Sequence, residues 1–264
     1  MKNILLKTII ERRWFMLGWS IGFIAFAALM VTFYPAMHMD GAIDALLANM
    51  PKAFEGLIGD LADLQSFPTY LASQLFDIRL PLIAGIMAII LGQSLSTAEE
   101  ERGELRTLLA LPVSRVKVLL QKWLALVIIT GVTVAALYAG IAVTAPFVDG
   151  ATIDTVDLLQ LLAMTWLLMI TYGTIAFGVG SMTGNKGAAT TISIFVIIGS
   201  FILSTFGQAV DWLADYEWLS LIHYFPAVDV AKNGIEIINV AVLGGLTAVV
   251  LTVALVIFRS RDVN

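Results

Sequence analysis

Apolar residues run along this chain in long blocks, separated by short polar stretches. No charge interrupts the block from Trp14 to Tyr34, and similar blocks recur at about 70–95, 118–145, 158–180, 188–206 and 237–258. Each can cross a hydrocarbon core about 30 Å thick at 1.5 Å per residue. With the first block at about 14–34, the pattern predicts six transmembrane helices. In the second, Asp77 and Arg79 stand near one end, and Pro81 falls early, where a proline costs a helix least.

Three other stretches carry weaker helical signals. In residues 2–13, Asn3, Lys7 and Glu11 share one face while Ile4, Leu5 and Ile9 fill another. This suits either an N-terminal interfacial helix or a plain basic flank that orients the first span. In 40–65, Ile43, Leu46, Leu47, Met50, Phe54, Leu57, Ile58, Leu61 and Leu64 keep helical spacing, with Pro51 as a break. One or two outer amphipathic helices are expected there. In 207–236, Trp212, Tyr216, Trp218, Tyr224 and Phe225 cluster. Tyr and Trp favour the headgroup level, so a surface or shallow re-entrant helical hairpin is expected rather than an aromatic ligand box. The fold class is all-α integral membrane, with residues 1–264 as a single transmembrane domain without internal repeats.

Composition strengthens this. Of 264 residues 59% are hydrophobic and 13% charged, against about 25% charged in soluble domains. The start of the chain imitates a signal peptide, with Lys2, Lys7, Arg12 and Arg13 ahead of an apolar block that contains Ala25-Phe26-Ala27. The block is too long for a signal sequence and more spans follow, so a retained first helix is expected. The absence of cysteine excludes disulfides, thiol catalysis and thiolate metal sites.

Charge adds an orientation. Lys2, Lys7, Arg12, Arg13, Arg102, Arg106, Arg115, Lys117, Lys122, Lys186, Arg259 and Arg261 fall on one side of the predicted spans; Lys52, Arg79 and Lys232 fall on the other. Basic residues stay in the cytoplasm. Both termini and the loops 96–117 and 181–187 are therefore expected there, in a multi-pass protein of the plasma (cytoplasmic) membrane. The outer loops are acidic, with Asp40, Asp44, Glu55, Asp60, Asp63, Asp149, Asp154, Asp157, Asp211, Asp215 and Glu217.

Catalytic patterns are missing. There is no G-x-x-x-x-G-K-[ST] phosphate loop; Gly184-Asn185-Lys186-Gly187 lacks its spacing. His38 and His223 belong to no H-E-x-x-H, and no G-x-S-x-G occurs. Glu99-Glu100-Glu101-Arg102 has the wrong arginine spacing for an intramembrane protease. The span interiors offer almost no buried charge for a proton or sodium relay. No catalytic, cofactor or metal site is expected in this chain, and no nucleic-acid partner.

One loop has internal logic. Thr97 and Glu100 form a T-x-x-E capping box. Glu99, Glu100 and Glu101 would then lie in a first helical turn, where negative charge is favourable. Leu105, Leu108 and Leu109 share a face, Pro112 stops the helix, and Ser114 caps the next one. Gly103 would sit inside this short helix at a cost of about 1 kcal/mol, which either close approach by a partner or plain tolerance of a glycine would explain.

This stretch resembles a segment of the permeases of type-2 ABC exporters: a glutamate run closed by Arg102, the Leu108-Leu109 pair, then Pro112-Val113-Ser114-Arg115 with Lys117 ahead of a span. The tail Phe258-Arg259-Ser260-Arg261-Asp262 is similar to the F-x-x-R-D ending of the same family. The resemblance implies a permease dimer, homomeric or with a paralogue, in the lipid bilayer. It implies separate ABC ATPase subunits beneath, which would bind the ATP and Mg. It also implies a cytoplasmic coupling helix drawn from Glu99, Glu100, Glu101, Arg102, Gly103, Leu105, Leu108, Leu109, Pro112, Ser114 and Arg115. The alternative is an ATP-independent membrane carrier or channel.

Overall fold

The structure, a computed structural model, describes residues 4–37, 66–101, 103, 114–207 and 210–261. Among them every regular element is a helix. Six helices are long and apolar enough to cross a membrane: Arg13–Ala36, Phe67–Glu101, Arg115–Phe147, Thr155–Thr183, Lys186–Phe206 and Ile237–Ser260. They are the first to sixth spans below, and each contains one of the blocks expected from the sequence.

The fourth span is the axis of the bundle. It packs against the second, third, fifth and sixth, while the first lies along the third. Small residues bring backbones close: a Cβ on Gly92 of the second span would fall onto the Gly173 carbonyl of the fourth. Side-chain hydrogen bonds fix the neighbours. Trp123 Nε1 donates to Thr174 Oγ1 at 2.9 Å, Trp166 Nε1 donates to the Val127 carbonyl at 3.1 Å, and the Thr171 and Thr247 hydroxyls pair at 3.0 Å. The outward faces of the first, fifth and sixth spans expose Ile21, Phe195 and Val256, as lipid-facing helices do.

The second span is longer than its hydropathy suggested and irregular near its start. Ala72–Asp77 forms a π-turn, and a regular helix resumes at Arg79. Pro81 supplies the reason. It has no N–H for the carbonyl four residues back, and its ring crowds that carbonyl. Arg79 Nη1 donates to the Gln74 carbonyl within this irregular turn at 2.7 Å.

Between the fifth and sixth spans lie three short helical pieces, Asp211–Ala214, Glu217–Leu219 and Ala227–Asn233. The turn Ser220–Phe225 dips into the bundle, with Ser220, Leu221, Ile222 and Phe225 buried, while Trp212, Tyr216 and Trp218 stay exposed. The sequence led to the expectation of a surface or shallow re-entrant helical hairpin here; the described residues form short helices around a buried turn. The N-terminal helix Ile4–Glu11 rests on the third span, with Ile4 and Thr8 buried and a Lys7–Glu11 ion pair at 3.5 Å. The expected outer helices at 40–65 lie outside the described residues.

Candidate functional site

The second span ends, the third begins, the fourth turns into the fifth, and the sixth finishes at one pole of the bundle. Most of the basic residues gather there, and so does the glutamate run.

The run does not open a helix. The second span continues through it to Glu101. Thr97 is no N-cap: it is fully buried, and its hydroxyl donates to the Gln93 carbonyl at 2.9 Å inside the helix. Gly103 is not inside a helix either. Its φ is +70°, and its N–H reaches the Glu100 carbonyl at 3.0 Å. That left-handed conformation suits glycine and ends the span, so no partner is needed to explain this residue.

Three carboxylates in the last turn of a helix oppose its dipole, which favours cations there. Each glutamate has its own cation, drawn from a different part of the chain. Glu99 Oε2 meets Lys122 Nζ of the third span at 2.6 Å, and the same ammonium donates to the Leu95 carbonyl at 3.0 Å. Glu100 Oε1 is bound by the guanidinium of Arg261, just past the sixth span. Glu101 Oε2 lies 3.6 Å from Lys186 Nζ at the start of the fifth. The pairs differ in burial. The Lys122 side chain is 4% exposed, whereas those of Glu101 and Lys186 are 46% and 50% exposed. The first pair is therefore held in a low-dielectric setting and the last is a surface contact.

Arg261 does more than pair with Glu100. Its Nη1 donates to the Ser181 carbonyl at the end of the fourth span at 3.1 Å, and its own carbonyl accepts from Arg115 Nη1 at 2.6 Å. Gly184 makes room for this. Its φ is +67°, and a Cβ there would stand 2.6 Å from both Arg261 Cζ and Glu100 Oε1. Two further links bind the second span nearby: Arg12 Nη2 donates to the Ser94 carbonyl at 3.2 Å, and the Thr190 hydroxyl donates to Gln93 Oε1.

Of the residues expected at a coupling site, Glu99, Glu100, Glu101, Gly103, Ser114 and Arg115 fall at this pole. Ser114 caps the third span as expected, its hydroxyl accepting from the Lys117 N–H at 3.3 Å. Arg102, Leu105, Leu108, Leu109 and Pro112 lie outside the described residues. Sequence reasoning counted Lys122, Lys186 and Arg261 toward the orientation, placed Gly184 in a glycine-flanked turn and Arg261 in a tail motif, and assigned none of them to this site. Lys122 carried a usable signal, because an amino group inside an apolar block is costly unless it is paired.

Among the described residues no cluster of His, Asp or Glu could hold a metal ion. The site gathers the ends of five spans around one acidic turn. The family model described as ABC-2 family transporter protein matches residues 3–263. No individual curated protein matches the chain. The six apolar helices and a family match over essentially the whole length agree, and the chain belongs to the ABC-2 transporter family as a multi-pass membrane transport subunit.

Proposed function

We propose that this chain is the membrane-spanning subunit of an ATP-driven exporter. It works as a dimer and takes its energy from separate ATPase subunits that bind ATP and Mg. The glutamate pole faces the cytoplasm of a plasma-membrane protein, with both chain termini on that side. The segment running from Glu99 through Arg102, Leu105, Leu108, Leu109 and Pro112 to Ser114 and Arg115 meets the ATPase. Closure of the ATPase pair displaces this segment, and the spans open a path outward.

One observation carries the reading. The turn that leads into this segment, Glu99–Glu101, is tied by ion pairs to Lys122, Arg261 and Lys186 of other helices. A displacement of the segment is thereby passed to the third, fifth and sixth spans. Glu99 and Glu100 act inward, as transmission groups. Exposed Glu101 acts outward, toward the ATPase.

The test uses Glu101→Lys combined with Leu108→Asp, with co-purification of the ATPase subunit as the readout. Association should fall about tenfold, equivalent to about 1.4 kcal/mol. Undiminished association would rule out this segment as the docking element.

A further inference from the structure

We infer that Arg261 is the positioning residue of this pole, fixing the acidic end of the second span to the third, fourth and sixth spans at once. The reading that the segment after Glu101 receives an ATPase gives this role its functional meaning; the fixing itself is a property of the chain alone.

The geometry is specific to an arginine at this position. The sixth span runs to Ser260, and the Arg261 N–H closes its last turn on the Ile257 carbonyl at 3.0 Å. Phe258, three residues earlier, is buried in the core. Residues three apart share a helix face, so an anchored Phe258 directs Arg261 back across the bundle. There the planar guanidinium serves Glu100 of the second span and the Ser181 carbonyl of the fourth together. Arg115 closes the ring from the third span by donating to the Arg261 carbonyl. A lysine is a point charge without the fork and cannot reproduce both directions. The F-x-x-R spacing thus has a physical purpose: the phenylalanine seats the helix end and the arginine ties it.

The chain has no cysteine, so Lys117→Cys and Val256→Cys place spin labels on the exposed ends of the third and sixth spans without background. The purified full chain is measured in lipid nanodiscs by pulsed dipolar spectroscopy. The label separation in the parent should be narrow. Arg261→Ala and Glu100→Gln should each move or widen it by ~2 Å or more, the size of helix shifts in switching proteins. Arg261→Lys should fall between, and the exchange Glu100→Arg with Arg261→Glu should stay shifted, because a carboxylate at 261 cannot donate to the Ser181 carbonyl. A parent-like distribution in Arg261→Ala overturns the inference, as does a parent-like distribution in the charge exchange. If Arg261→Ala does not yield folded protein, Glu100→Gln decides by the same criterion. Failure of the parent to bind any ATPase subunit would count against the coupling reading and leave the distance result standing.

Discussion

Lys122 shows how much one side chain can decide. It lies about 10 Å inside the third span, at 1.5 Å for each residue after Arg115, and its ammonium is held between Glu99 and the Leu95 carbonyl. Removing one member of a buried ion pair leaves the other charge uncompensated. Lys122→Met should therefore cost about 3 kcal/mol, read as a lowered thermal unfolding midpoint in detergent. Adding Glu99→Leu to it should recover most of that loss. The exposed pair is the control: Glu101→Ala or Lys186→Ala should change stability by less than about 1 kcal/mol. Local sequence could not show this difference. Thr97 and Glu100 have the spacing of a capping box, but they sit equally well in a helix that continues. The choice is made by cations 23 and 161 residues away in the chain. Gly103 was misread for the same reason: its cost belongs to a helix interior, and it stands at a helix end.

The six spans were legible because a membrane demands about 20 apolar residues per crossing, and that demand is written locally. The buried turn between the fifth and sixth spans was less so. Ser220 is fully buried in an irregular stretch, where backbone groups need partners. Its hydroxyl donates to the Ser200 carbonyl at 2.8 Å and accepts from the Ile222 N–H at 3.1 Å, while the Ser200 hydroxyl accepts from the Leu221 N–H at 3.1 Å. Ser200 of the fifth span and Ser220 of the turn thus supply partners for this irregular backbone. Ser220→Ala strands these groups at about 1–3 kcal/mol. Amide exchange across 220–225 should then quicken by about tenfold or more while the fourth span stays protected. Uniform exchange in parent and variant would mean that apolar burial of Leu221, Ile222 and Phe225 holds the turn unaided.

Across the whole molecule the polar architecture is uneven. The spans are joined at mid-depth by hydrogen bonds such as Thr171 to Thr247, whereas their ends meet in a charged cluster at one pole. A protein whose energy enters at that pole needs such a cluster, because apolar contacts between helices let them slide and ion pairs keep their ends in register. The direct measurement is the separation of spin labels at Lys117→Cys and Val256→Cys in the complex with the ATPase subunit in nanodiscs, before and after ATP is added. The expected result is a change of ~2 Å or more on ATP binding, lost in Arg261→Ala while hydrolysis continues. An unchanged separation in a complex that binds and hydrolyses ATP would contradict the claim that this pole takes up the work of an ATPase.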